Sequence, residues 1–308
     1  MSAAIVRPER EAWLAERRNG IGASEVAAIL GVDPRRGALA IYAAKVGDVE
    51  AEERKWMRWG RLVEGAICEG YAEETGRPAE DLGAFEIQRH PDAPFLFATL
   101  DRVTRGSEAT PAPIDSSAMV PLEAKAVAGF KARDWADDPP LHFVVQCQAQ
   151  MACTGAQWSS LVALIGGLAI AWKDMLRDDA FLAAALPKLE AFWLRVRRRE
   201  PPEADGLPGT TDALKALYGH EDGFTQHLDD DAMFIVGEWE KAKEIAAAGD
   251  AQVTEAANKL RARLGPASFG ALPDGSLLTL REVKRGAYQV KETSYRVLRR
   301  IRPRLRMR

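Results

Sequence analysis

The stretch from Phe95 to Lys125 leaves this chain the fewest choices. Phe95-Leu96-Phe97-Ala98-Thr99-Leu100 is an apolar, aromatic-rich run that ends in Asp101, and Val120-Pro121-Leu122-Glu123-Ala124-Lys125-Ala126 is a second run of the same kind. Gly106, Pro111 and Pro113 lie between them, so the pattern predicts neighbouring antiparallel strands joined by a long turn. Side chains alternate along a strand, which puts Glu123 and Lys125 on one face and Leu122 and Ala124 on the other. If Asp101, at the end of its strand, lies beside Glu123, two carboxylates and an ammonium meet at one point on a sheet. Such a point suits a hard cation and a phosphate ester.

The residue types match that chemistry. Cleaving a phosphodiester requires a barrier reduction of roughly 20 kcal/mol. A bound metal supplies much of it by polarising phosphoryl oxygens and acidifying water. Mg²⁺ takes one or two carboxylates and keeps several waters, so Asp101 and Glu123 suffice, with the carbonyl of Ala124 as a third donor. Mn²⁺ can substitute. Lys125 then orients the attacking water or stabilises developing negative charge. The competing reading of Glu-X-Lys is an ordinary ion pair on a solvated strand, and only the surrounding sequence separates the two.

Ahead of this stretch, Trp13 and Arg17 precede Gly20-Ile21-Gly22-Ala23-Ser24-Glu25. Ser24 reads as the N-cap of a short helix through Leu30, with Gly31 ending it. An arginine near such a turn can equally bind a phosphate, giving Arg17 and Ser24 as phosphate-binding candidates. A helix from Arg54 to Glu74 buries Trp56, Val63, Ile67 and Tyr71. It carries Glu64 beside that stripe, either as a further carboxylate at the site or as a partner of Arg61 or Arg58. Gly83 to Arg89 is expected to form a strand.

After Lys125, Asp137-Asp138-Pro139-Pro140 turns into a helix from Leu141 to Thr154, where Gln146 and Gln150 share a face and Gln148 does not. Those amides suit water or a DNA backbone, or are plain surface residues. Strands follow at Trp158 to Ile165 and Leu168 to Trp172, then a helix from Asp178 to Arg199. The fold class is therefore α/β: a mixed central β-sheet flanked by helices. Pro201 to Gly209 reads as a linker. Beyond it come a short helix near Asp212 to Tyr218, two helices between Asp231 and Leu264, and a hairpin around Pro273-Asp274-Gly275-Ser276. The expected organisation is a core over 1–200, a linker over 201–210, and a mixed α+β extension over 211–308.

Charge and cysteine content narrow the class. The formal net charge of -3 hides a basic end: residues 281–308 carry +9, which leaves -12 on the rest. A basic end on an acidic body suits a polyanion partner. Cys68, Cys147 and Cys153 form no CxxC pair, and an odd count argues against a disulfide framework. No run of eighteen apolar residues occurs, and the N-terminus lacks the apolar stretch of a signal peptide, so a cytoplasmic chain without a membrane span is expected.

With these residues placed, the sequence resembles the YqaJ-type phage recombination nucleases, relatives of lambda exonuclease within the PD-(D/E)XK nuclease fold. The marks are Trp13 with Arg17 and Gly20 to Ser24; Gly60 to Glu64; Ala98 to Asp101; Glu123-Ala124-Lys125; Gln146 to Met151; and Phe192-Trp193 leading to Glu200-Pro201-Pro202. They span roughly residues 9–203. The resemblance implies that Asp101, Glu123 and Lys125 bind Mg²⁺ and catalyse, that Glu64 and Gln146 support them, and that Arg17 and Ser24 hold a 5′ phosphate. It also implies an exonuclease that digests the 5′-ended strand of duplex DNA ends, a single-strand annealing protein as partner, and a ring-shaped trimer. Two other readings stay open: an endonuclease on the same fold, and a non-catalytic DNA-binding relic. Three cysteines fall short of the four that an iron-sulfur branch requires.

Overall fold

The computed structural model describes residues 8–47, 55–83, 86–135, 138–219, 223, 225–286, 296 and 298–300. It divides into two compact units, Met1–Gly219 and His220–Arg308. The first opens with α1 (Pro8–Arg18), β1 (Ile21–Gly22), α2 (Ala23–Ile29), α3 (Ala38–Val46) and α4 (Lys55–Thr75). Four short or medium strands follow: β2 (Gln88–Arg89), β3 (Leu96–Ala98), β4 (Arg102–Thr104) and β5 (Val120–Val127). A 3-10 turn at Gly129–Trp135 leads to α5 (Leu141–Thr154), β6 (Trp158–Ile165), β7 (Ala169–Leu176), α6 (Asp179–Arg198) and α7 (Pro208–Leu217).

The expected mixed sheet flanked by helices is present as two adjoining sheets, ordered β1-β3-β2 and β4-β5-β6-β7. β5 runs parallel to β6 and antiparallel to β4. Helix α5 makes the crossover between the parallel pair, as such a connection requires. Its end is set at Gly155, whose φ of 76° suits the left-handed cap that glycine adopts without strain. The two faces of β5 are buried differently. Leu122 and Ala124 pack with Val162 of β6 on Ile67, Cys68 and Tyr71 of α4, while Glu123 faces α5. A second core gathers α2, α3, α5 and α6 around Ile21, Leu96 and Ala98. β1 lies against β3 because Gly20 has no side chain: a Cβ there would stand 2.5 Å from the Phe95 carbonyl, which accepts the Ile21 N–H at 2.6 Å.

Several expectations change. The strand from Phe95 does not pair directly with β5; it breaks at Asp101, and the separate strand β4 pairs with β5 instead. The break lets one run of chain serve two sheets. Ser24 is not the N-cap of α2. Gly22 holds that position, and the Glu25 carboxylate accepts its N–H at 2.8 Å. Of the strand expected over Gly83 to Arg89 only Gln88 and Arg89 are extended partners, with residues 84 and 85 outside the described residues. The 201–210 segment runs straight into α7, which packs on α3, so the compact units divide at Gly219 and His220.

The second unit holds one 35-residue helix, α8 (Asp230–Leu264), where two were expected. Gly237 and Gly249 sit within it without breaking it. The hairpin forms as β8 (Phe269–Ala271) and β9 (Leu277–Thr279), with Gly275 at φ 83° in the turn. The basic tail of Arg296 to Arg308 lies outside the described residues except for residues 296 and 298–300; within these, Arg300 pairs with Glu240 at 2.8 Å. Among the described residues no helix is long and apolar enough to cross a membrane. Cys68, Cys147 and Cys153 are free and buried.

Candidate active site

The register of β4 on β5 sets Arg102 opposite Leu122, so the residue before it, Asp101, falls beside Glu123. Past Leu122 the strand partner has ended, and a side chain takes its place: Asp101 Oδ2 accepts the Ala124 N–H at 2.9 Å. The two runs that flank the long excursion therefore bring their carboxylates together.

Glu123 is 2 % exposed, and each of its oxygens is held. Oε1 accepts from Lys125 Nζ and from Gln146 Nε2, the latter at 2.6 Å. Oε2 accepts from Gln150 Nε2. Gln146 and Gln150 are one helical turn apart on α5, which is why both reach one carboxylate. They hold Glu123 rather than facing solvent, while Gln148 turns away to the Leu176 carbonyl and the Asp178 N–H, each at 2.8 Å. Gln150 was visible in the sequence by its four-residue spacing, but its part in fixing Glu123 was not.

Glu64 of α4 joins the edge of this group. Its partner is Arg102, at 3.7 Å, in place of the Arg61 or Arg58 pairing considered from spacing. Arg102 also lies 3.4 Å from Asp81. No sequence motif signalled Arg102.

Crowding of carboxylates away from water sets the electrostatics. Burial, and then the charge of Glu123, push Asp101 well above the ordinary carboxylate range. Burial likewise raises Glu64, against the pull of Arg102. Burial alone would lower Lys125, yet Glu123 and Asp101 hold it above the usual lysine value, so it stays an ammonium. Its Nζ also stands 5.1 Å from the centre of the Phe143 ring.

Among the described residues no three His, Cys, Asp or Glu side chains are grouped to hold a metal ion. The donors present are two carboxylates, Asp101 and Glu123, and the main chain at Ala124. That set fits Mg²⁺, which needs few protein ligands, better than Zn²⁺, which takes three or four nitrogen or sulfur donors. A dication there would also relieve the like-charge pressure on Asp101. The Gln150 Oε1 atom is buried at the same place without a hydrogen-bond partner.

The phosphate-binding candidates meet nearby in sequence terms but on other elements. Arg17 Nη2 lies 3.5 Å from Ser24 Oγ, and its guanidinium stands 4.7 Å over the Trp13 ring. Arg36 reaches the Ser24 carbonyl at 3.3 Å, so two guanidiniums converge on Ser24. His142, at the start of α5, feels the charges of both Arg35 and Lys125, and burial followed by Arg35 lowers its pKa. Arg36 and His142 belong to no pattern that the sequence alone displayed.

Residues 12–157 match the family described as YqaJ-like viral recombinase domain. The protein YqaJ of Bacillus subtilis (strain 168), described as uncharacterized, is 28 % identical over 215 residues, which are 68 % of this chain and 63 % of that protein. The chain thus spans less than two thirds of the curated relative it matches. Among solved structures, the alkaline exonuclease LHK-Exo from Laribacter hongkongensis is 22 % identical, covering 62 % of this chain and 94 % of that one with a TM-score of 0.49. A phage related exonuclease from Haemophilus somnus 129PT is 10 % identical, covering 58 % and 94 %, with a TM-score of 0.44. The segment that carries Arg17, Ser24, Glu64, Asp101, Glu123, Lys125 and Gln146 is the segment that matches the YqaJ-like viral recombinase domain.

Proposed function

We propose that this chain is a Mg²⁺-dependent DNA exonuclease that digests the 5′-ended strand of linear duplex DNA and leaves 3′ single-stranded tails. The observation that carries the reading is the meeting of Asp101, Glu123 and Lys125, tied by the Asp101 bond to the Ala124 N–H and the Lys125 bond to Glu123. The match of residues 12–157 to a viral recombinase domain supports the setting in recombination.

Asp101, Glu123 and the Ala124 carbonyl would hold Mg²⁺, or Mn²⁺ in its place. When bound, such an ion supplies polarisation of the phosphoryl group and a more acidic water. The protein's own groups do the rest. Lys125, held protonated, donates to the attacking water or to the phosphoryl oxygen that gains charge. Gln146 and Gln150, together with Lys125, hold the Glu123 carboxylate through three hydrogen bonds, which leaves one lone-pair site, on Oε2, for a cation. Glu64, tied to Arg102, adds negative charge at the rim. Arg17 and Ser24 take the terminal 5′ phosphate, which gives the digestion its direction. The same reading includes a single-strand annealing protein as recipient of the 3′ tail, a ring-shaped homotrimer and a cytoplasmic location.

The test uses linear duplex labelled separately at each 5′ and 3′ end, beside a covalently closed circle, with Mg²⁺, Mn²⁺, Ca²⁺ or a chelator. Release of the 5′ label first, with Mg²⁺ or Mn²⁺ only and with the circle intact, is the expected result. A nicked or linearised circle would establish an endonuclease instead, and no cleavage under any cation would leave a DNA-binding relic.

A further inference from the structure

Arg17 and Ser24 stand on separate elements, the last turn of α1 and the first turn of α2, and a single buried side chain from α3 joins those two elements. The Lys45 side chain is 3 % exposed, and its Nζ lies 2.7 Å from Glu25 Oε2. The same ammonium donates to the main-chain carbonyl of Arg17 at 2.8 Å. Glu25 Oε2 in turn accepts the Gly22 N–H at 2.8 Å, at the cap of α2. The links run from the Arg17 carbonyl through Lys45 and Glu25 to Gly22, two residues before Ser24.

A lysine is seldom withdrawn from water, because the ammonium loses its hydration and is tolerated only where charged and hydrogen-bonding partners replace it. An apolar side chain would fill the same space between α1, α2 and α3 without that cost. What an apolar chain cannot do is fix a carbonyl at the end of one helix to a carboxylate at the start of another. Packing does not set this distance to a few tenths of an ångström; the bonds do.

We infer that Lys45 is a positioning residue of the terminal-phosphate pocket, clamping the end of α1 to the start of α2 so that the Arg17 guanidinium and the Ser24 hydroxyl converge on one phosphate. The inference rests on the reading of Arg17 and Ser24 as that pocket. Lys45 touches no DNA in this account; it acts through the backbone of Arg17 and through Glu25. Arg17 and Arg36 bring the positive charge to Ser24, while Glu25 neutralises Lys45 and Asp33 pairs with Arg36.

The experiment compares the full-length wild type with Lys45→Met, Lys45→Arg, Arg17→Ala and the Arg17→Ala/Lys45→Met double variant. Two quantities are read for duplexes bearing a 5′ phosphate or a 5′ hydroxyl: binding, by fluorescence anisotropy, and kcat/KM. Lys45→Met is expected to reduce the phosphate-to-hydroxyl ratio in both by on the order of tenfold, the size of losing a charge-assisted contact. The change should appear in KM, Lys45→Arg should recover part of the ratio, and the double variant should lose no more than Arg17→Ala alone. A folded Lys45→Met protein that keeps the wild-type ratio, while Arg17→Ala loses it, overturns the clamp and leaves the pocket standing. A wild type indifferent to the 5′ phosphate in both readouts overturns pocket and clamp together. Should Lys45→Met fail to fold, Glu25→Gln breaks the same ion pair, and an unchanged ratio there is equally fatal to the inference.

Discussion

Asp101 and Ala124 are joined by a hydrogen bond of 2.9 Å from a backbone N–H to a carboxylate, at the point where β4 has ended and β5 continues. One bond does two tasks. It satisfies an amide that would otherwise lack a strand partner, and it holds one carboxylate next to the Glu123 side chain. The site exists because the sheet is interrupted there.

Gln150 is 0 % exposed and donates to Glu123 Oε2, so its removal frees one oxygen of that carboxylate. Gln150→Leu should lower kcat by about 10- to 100-fold, the usual cost of losing a group that orients a ligating side chain. The Mg²⁺ concentration for half-maximal activity should rise with it. Steady-state digestion across a Mg²⁺ series checks both; unchanged values would mean that Gln146 and Lys125 fix Glu123 unaided.

For the phosphate pocket, Arg17→Ala should narrow the difference in digestion rate between 5′-phosphorylated and 5′-hydroxyl duplex. Ser24→Ala should do the same to a smaller degree, since a hydroxyl contributes a neutral bond and a guanidinium a charged one. Because Gly22 rather than Ser24 caps α2, Ser24→Ala should cost well under the roughly 1 kcal/mol of a lost cap. Digestion of both end types, with thermal unfolding of each variant, separates the two effects.

Arg77 is the largest commitment of buried charge outside the site. Its side chain, 1 % exposed, binds Asp174 through both nitrogens at 2.8 Å, the Tyr71 hydroxyl at 3.0 Å, and the Thr110 and Pro111 carbonyls at 2.9 and 2.8 Å. It ties α4 and β7 to the excursion between Asp101 and Glu123. Arg77→Met should destabilise the protein by about 3–5 kcal/mol, because it strands Asp174 and the Pro111 carbonyl without their donor. Urea unfolding of the variant measures this.

Asp33 supplies a pH signature. Burial pushes its carboxyl up, but the Arg35 N–H and the charges of Arg35 and Arg36 outweigh that and leave its pKa below the ordinary value. A carboxylate with a depressed folded pKa contributes stability above its unfolded pKa and loses it as pH falls through the folded one. The stability gap between wild type and Asp33→Asn should therefore be full at pH 7 and shrink as the pH falls below the usual aspartate range. Unfolding free energies at a series of pH values would show it, and a gap independent of pH would contradict the assignment.

The sequence displayed the local elements well and the long-range ones less well. Helix α5 and strand β6 fall where their flanking signals put them, because Pro140, Gly155 and the apolar run from Trp158 act locally. Strand alternation put Glu123 and Lys125 on one face, but Asp101 joined them only through the resemblance, because the excursion between the two runs is too long for spacing to fix their adjacency. The break at Asp101 was not legible, for nothing in Phe95 to Thr104 distinguishes one bent strand from two strands in different sheets. At α2, Ser24 has the better capping side chain, yet the Glu25 carboxylate, steadied by Lys45 from a later helix, captures the Gly22 N–H instead. Arg102 escaped notice because Glu64 and Asp81 lie on other elements, and so did the reach of Arg36 to the Ser24 carbonyl, since no spacing rule extends that far.

Asp101 and Glu123 act together at this site, and single-turnover digestion of end-labelled duplex by Asp101→Asn and Glu123→Gln measures what each contributes. Each variant should lose at least roughly a hundred- to thousandfold in rate, the scale of losing one electrostatic stabiliser, while duplex affinity and unfolding midpoint stay near wild type. Digestion at close to the wild-type rate by either folded variant would contradict the two-carboxylate site.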